Sequence, residues 1–243
     1  MLPNKSESSP VTHVAPASSS ASPSELLGAA EPSLWQSQSR DFHEQLVVQR
    51  GEGWQAFWGS QQSQAVRYQV LLSQLPLDGA TVLEVGCGFG DFLDYATALG
   101  VRPARYLGVD LSAKLVVAAQ ARQVQREASV PAVRATEVQF AVLDVLQAEP
   151  PLVPDFVIAS GIMAVDFPGY EDYVLAVLRR FYTLGTRGFG LNFLSTCSEH
   201  PDGQSKYVEP AWLLSLFQKH LDWRCRLLHD YRPNDFTLIH VKG

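Results

Sequence analysis

Residues 34–75 read as helical, and the clearest run is 62–75. There Ala65, Tyr68, Leu71, Leu72 and Leu75 recur at intervals of three and four, drawing one apolar stripe that Pro76, Asp78 and Gly79 bring to a stop. The period then changes. Residues 81–85 are an apolar, β-prone run leading into Gly86, Gly88 and Gly90, after which Phe92, Leu93, Tyr95, Ala96 and Leu99 return to helical spacing, with Gly100 as a left-handed terminator. The same alternation repeats down the chain. A strand over 105–111 is followed by a helix from Ser112, its cap, to about residue 128; strands follow at 138–143 and 155–161. Tyr170, Tyr173, Val174, Val177, Leu178 and Phe181 mark one face of a helix over 170–182, and 189–194 make a fifth strand. Beyond a long polar loop at 195–209, a helix over 210–220 precedes two strands, 223–229 and 236–241, joined by a turn over 231–235. Strands alternating with helices predict a mostly parallel α/β sheet in one domain, closed by an antiparallel hairpin.

Residues 1–32 show no such pattern. They are rich in Ser, Pro and Ala, with Pro3, Pro10, Pro16, Pro23 and Pro32 breaking any helix, and the expectation is a disordered tail ahead of a folded domain over 33–243. A chain of 243 residues with 46% hydrophobic content suffices for one substantial core. Its net charge of -6 argues against a nucleic-acid partner. Three scattered cysteines offer neither a disulfide framework nor a metal site, and neither a membrane span nor a secretory leader is visible; the expectation is a cytoplasmic protein without metal.

Chemistry concentrates at the glycines. Three at alternate positions after a strand imply unusual dihedrals or a ligand lying against bare main chain. The dinucleotide fingerprint G-x-G-x-x-G does not fit, because the third glycine arrives one residue early and Asp91 stands in its place, where an acid would repel a pyrophosphate. Asp110 ends the second strand, and in a Rossmann-like sheet an acid there accepts from two vicinal ribose hydroxyls. Asp144 repeats that placement after the third strand.

The run Val82-Leu83-Glu84-Val85-Gly86-Cys87-Gly88-Phe89-Gly90 resembles the first motif of class I S-adenosylmethionine-dependent methyltransferases, and the phrase Tyr207-Val208-Glu209-Pro210 resembles poorly characterised bacterial members. The resemblance implies a seven-stranded sheet of order 3-2-1-4-5-7-6 with an N-terminal helical lid over about 33–75. It implies S-adenosyl-L-methionine as cofactor, with Gly86, Gly88 and Gly90 approaching its methionine part and Glu84 ordering the loop near its amino group. Asp110 would take the ribose, Asp144 the adenine amine and Val145 the ring, while Cys87, Leu111 and Ser160 complete the cofactor contacts. Arg67 is placed near the cofactor carboxylate.

The acceptor implied is a small polar molecule, held by the loop 195–209 and the hairpin turn. His200, Tyr207 and His229 are the groups available to take a proton. The D/N-P-P-Y/F box of some DNA and amine methyltransferases is replaced by Ser160-Gly161-Ile162-Met163. Two other classes stay open at this point: a nicotinamide-dependent oxidoreductase of Rossmann type, and a non-catalytic protein that only binds S-adenosylmethionine.

Overall fold

The computed structural model describes residues 32–129 and 136–243, so the expectation for the tail lies outside the described residues apart from Pro32. Pro32 opens the first helix, α1 (Pro32–Arg50), followed by the short α2 (Trp54–Phe57) and by α3 (Gln61–Gln74), the helix read from its apolar stripe. Ser60 caps α3 by accepting from the Ser63 backbone N–H. Then come β1 (Thr81–Val85), α4 (Phe92–Ala98), β2 (Arg105–Asp110), α5 (Ala113–Ser129), β3 (Glu137–Val142) and β4 (Phe156–Ala159). The second half runs α6 (Tyr170–Leu184), β5 (Gly188–Ser195), β6 (Tyr207–Val208), α7 (Pro210–His220), β7 (Arg226–Arg232) and β8 (Asp235–Val241).

The sheet order is β3-β2-β1-β4-β5-β8-β7. The first five of these strands run parallel, while β8 pairs antiparallel with both β5 and β7. This is the expected order with one correction: an eighth strand, β6, lies inside the loop 195–209 and pairs parallel with Leu194 and Ser195. A two-residue strand in a polar segment carries too few side chains for a period to show. A second correction concerns the hairpin, whose turn is only Pro233–Asn234, because β7 extends to Arg232.

Successive residues of a strand face opposite sides, so each central strand feeds two cores. Leu83, Leu107, Val157 and Leu191 pack with Val174, Phe181 and Phe217 from α6 and α7. Val82, Tyr106, Phe156 and Ile158 pack on the other side with Leu71, Phe92 and Ala96 from α3 and α4. Burying strands on both faces leaves one place for a ligand, outside the carboxyl ends where the parallel strands turn.

Candidate functional site

A cavity of about 560 Å³ opens at those carboxyl ends. This lies within the range of roughly 300–1,000 Å³ for pockets that enclose small ligands. Its floor is the turn after β1. Gly86 has φ +73°, and a Cβ there would fall 2.2 Å from the Ile162 side chain, so only glycine fits. The Gly86 and Cys87 N–H groups both donate to the Val109 carbonyl, at 2.8 and 3.0 Å, and the Gly88 N–H donates to Asp110 Oδ2 at 3.0 Å. The end of β2 thus holds the turn in place.

Asp110 lines the cavity, and its other oxygen accepts from the Ser112 N–H at 2.9 Å. Burial raises its pKa, against those two backbone donors. Each oxygen spends one acceptor site on the main chain and keeps another for a ligand. Asp144 lines the cavity from the end of β3; Oδ1 accepts from the Leu146 N–H at 2.9 Å and Oδ2 from the Gln36 amide of α1. Burial raises its pKa too. Cys87, Gly88, Leu111, Val145 and Ser160 are also on the wall. The Ser160 hydroxyl accepts from Asn192 Nδ2 at 2.9 Å, and Asn192 Oδ1 accepts from the Gly161 N–H at 3.2 Å, locking the ends of β4 and β5 together.

Glu84 and Gly90 are not on the wall. Glu84 is fully buried beneath the turn, on the face that meets α3 and α4, where Oε2 accepts from the Tyr106 hydroxyl and Oε1 has no partner. Burial pushes its pKa up to about 8, so near neutrality it is a neutral acid supporting the strand from behind. Strand alternation explains the placement: Val85 faces the cavity and Glu84 the packed side beneath the turn. A Cβ on Gly90 would meet the Phe140 ring at 2.9 Å, so that glycine serves the packing of helices on the sheet.

At the far end, Tyr207, Asp202, Gln204 and Ser205 from the loop and Arg232, Asn234 and Asp235 from the hairpin line the same cavity. Of the three proton-accepting candidates only Tyr207 is among the lining residues, with its hydroxyl accepting from the Asp202 N–H at 3.0 Å. His200 lies on an exposed stretch away from the cavity, and His229 points back to its own hairpin, with Nε2 3.1 Å from the Pro233 carbonyl. Arg67 lines the cavity, yet its guanidinium is committed: Nε donates to Asp235 Oδ1 at 3.0 Å and Nη1 to the Ser63 carbonyl at 2.8 Å.

Sequence reasoning missed His43, whose Nδ1 lies 2.7 Å from the Ser39 carbonyl while its ring lines the cavity. The signal was available. Trp35, Ser39, Phe42, His43, Leu46 and Arg50 all line the cavity and fall at helical spacing on one face of α1. That helix is tied across the site by Gln36 to Asp144 and by Glu44, which accepts from the Ser112 hydroxyl at 2.7 Å and pairs with Lys114 at 2.6 Å.

The donor set suits an adenosyl ligand. Asp110 and Asp144 present two carboxylates at consecutive strand ends on the cavity wall, and Asp91 directly follows the glycine turn. Residues 83–188 match the family model described as a methyltransferase domain. The protein Rv1506c of Mycobacterium tuberculosis, provisionally named a methyltransferase, is 27% identical over 168 residues, which span 67% of this chain and 93% of that one. Among solved structures, PigF with SAH aligns with a TM-score of 0.59 at 13% identity, covering 86% of this chain and 62% of its own. An S-adenosylmethionine-dependent methyltransferase of Aquifex aeolicus aligns with a TM-score of 0.54 at 14% identity, over 81% and 96% of the two chains. Likeness at such identities speaks to the fold.

Proposed function

We propose that this chain, a class I S-adenosylmethionine-dependent methyltransferase, transfers the methyl group of S-adenosyl-L-methionine to a small polar acceptor held in the same cavity. The observation that carries this reading is the convergence of Asp110, Asp144 and the Gly86–Gly88 turn on one cavity that continues to Tyr207 and the hairpin. In this reading Asp110 accepts from the ribose hydroxyls, Asp144 from the adenine amine, and Leu111 and Val145 flank the adenosyl group. Cys87, Gly88 and the main chain at Ser160 bound the methionine part, while Glu84 and Gly90 support the turn from outside the cavity.

When bound, the cofactor supplies an electrophilic methyl on a sulfonium. The chain's own work is alignment and the exclusion of water. Trp35 and Phe42 of α1 and Trp58 just after α2 line the cavity with apolar surface that excludes water. Gln36 occupies one oxygen of Asp144, so α1 must yield or share that oxygen when adenine enters. Tyr207 is the group at the acceptor end able to hold or pass on a proton.

No described helix is long and apolar enough to cross a membrane. We place the chain in the reducing cytoplasm, where its three unpaired cysteines remain thiols. The test of the acceptor class is methyl transfer from S-adenosylmethionine to the small-molecule and macromolecular fractions of a cell extract, assayed separately. Label appearing in the small-molecule fraction is the expected result; label only in protein or nucleic acid would refute a small acceptor.

A further inference from the structure

The acceptor end of the cavity carries more positive charge than its own acids consume. Arg67, 5% exposed, spends its donors on Asp235 and Ser63 and stacks over Trp58, with Cζ 4.7 Å from the ring centre. Asp235 is fully buried. A second guanidinium, Arg232, stands on the same carboxylate: its Nε lies 3.2 Å from Asp235 Oδ2, at an angle that leaves this oxygen without a hydrogen bond, and donates to Asn234 Oδ1 at 3.3 Å. Neither terminal nitrogen of Arg232 is hydrogen-bonded among the described residues. One carboxylate between two guanidiniums leaves a net positive charge on the wall, carried by a side chain that is 31% exposed.

The hairpin is bent to put it there. Leu228 pairs with Thr237 and Arg232 with Asp235, so three residues of β7 stand opposite Phe236 alone. This bulge is pinned: the Tyr231 hydroxyl is 2.8 Å from Thr237 Oγ1, and His229 Nε2 meets the Pro233 carbonyl. Bulges re-aim side chains, and this one turns Arg232 toward the cavity. The remaining acid on this stretch, Asp202, is held by its own loop, accepting from the Gln204 and Ser205 N–H groups at 2.9 and 2.7 Å and from the Ser205 hydroxyl at 2.7 Å, and its charge is met by Arg50, which lines the same cavity.

We propose that Arg232 seats a carboxylate of the methyl acceptor, and hence that the acceptor is a small carboxylic acid. The inference rests on the methyl-transfer reading above and narrows it. A guanidinium edge offers two parallel N–H groups at the spacing of a carboxylate, and one surplus charge matches a monoanion. A cationic amine would meet two arginines and find both nearby acids taken.

The experiment uses the full chain saturated with S-adenosylhomocysteine. Hydroxy- and amino-substituted benzoates and alkanoates are titrated by calorimetry beside their primary carboxamides, then assayed as methyl acceptors with S-adenosylmethionine. At least one carboxylate should outbind its amide about tenfold and be methylated. Arg232→Met should raise KM for it about 30-fold while S-adenosylhomocysteine affinity stays within twofold, and Arg232→Lys should recover part of the loss. If no carboxylate outbinds its amide, or if Arg232→Met weakens cofactor and acceptor together, the assignment fails. Wild-type protein that does not bind S-adenosylhomocysteine at all would instead overturn the methyl-transfer reading.

Discussion

The two ends of the cavity are built on opposite principles. At the cofactor end the parts are mostly local: Gly86 to Gly90 form one turn, Asp110 and Asp144 end consecutive strands, and apart from the Gln36 amide on Asp144 their hydrogen bonds run to main chain a few residues away or on the neighbouring strand. At the acceptor end the parts are distant in sequence. Arg67 and Asp235 are 168 positions apart, and the pair is shut away from water, with Arg232 and Trp58 against it. The difference implies that the cofactor end rests on backbone geometry and the acceptor end on buried charge, so substitutions in the two should fail in different ways.

The largest effect is expected at the acceptor end. Asp235→Ala leaves Arg67 buried without its partner, and breaking such a pair costs about 3–5 kcal/mol, measurable by urea unfolding. Replacing both partners with leucine should recover at least half of the loss, because the cost lies in the uncompensated charge. If the single variant loses less than about 1 kcal/mol, the contrast between the two ends disappears.

The next effect is pH-dependent and sits under the glycine turn. Glu84 has a folded pKa of about 8 against an ordinary value of 4.5, so between those values the folded state holds a proton that the unfolded state has released. Stability from this group therefore falls as pH rises from 4.5 to 8 and is flat above. The full drop is on the order of 5 kcal/mol. Glu84→Gln should remove most of that slope, so that the variant gains on the wild type in thermal unfolding at pH 9 and not at pH 5. A wild-type stability that rises from pH 5 to 8 with no difference in slope for the variant would contradict the neutral buried acid.

The smallest effects separate the three proton-accepting candidates. Tyr207→Phe removes the hydroxyl that holds Asp202 at the acceptor end and should lower methyl transfer several-fold with cofactor affinity unchanged. His200→Ala, off the cavity wall, should stay within twofold of the wild type in turnover, whereas His229→Ala, which releases one of the two contacts pinning the bulge, should lower it less than Tyr207→Phe does. Equal losses in all three would mean that the loop acts as a unit and that the cavity wall does not mark the acceptor site.

How much was legible in the sequence follows the same division. The glycine turn, Asp110 and Asp144 could be read because each is fixed by neighbours within one strand–turn unit. The antiparallel hairpin and the strand order were legible from the alternation of periods together with the family resemblance. Arg232 was read only as part of the hairpin turn given to the acceptor, because a bulge of this size breaks the period that would have shown where its side chain goes. Asp235 was read only as the end of a turn, since nothing local shows that it meets Arg67. Glu84 was read as ordering the glycine loop, but the face it takes beneath the turn was not, because it follows from a strand whose alternate residues serve opposite faces. The crossing of α1 over the site depends on contacts such as Gln36 to Asp144, 108 positions apart, that no local pattern carries.

The central claim is that one adenosyl-binding site is organised by Asp110 without a place for a pyrophosphate. Calorimetry of the full chain with S-adenosylhomocysteine and with NAD, repeated on Asp110→Ala, tests it most directly. The account predicts one S-adenosylhomocysteine per chain, no measurable NAD binding, and a loss of about 10- to 150-fold in affinity in the folded variant, the worth of about 1.5–3 kcal/mol from a charge-assisted pair. NAD binding as tight as that of S-adenosylhomocysteine, or an Asp110→Ala protein with wild-type affinity, would contradict it.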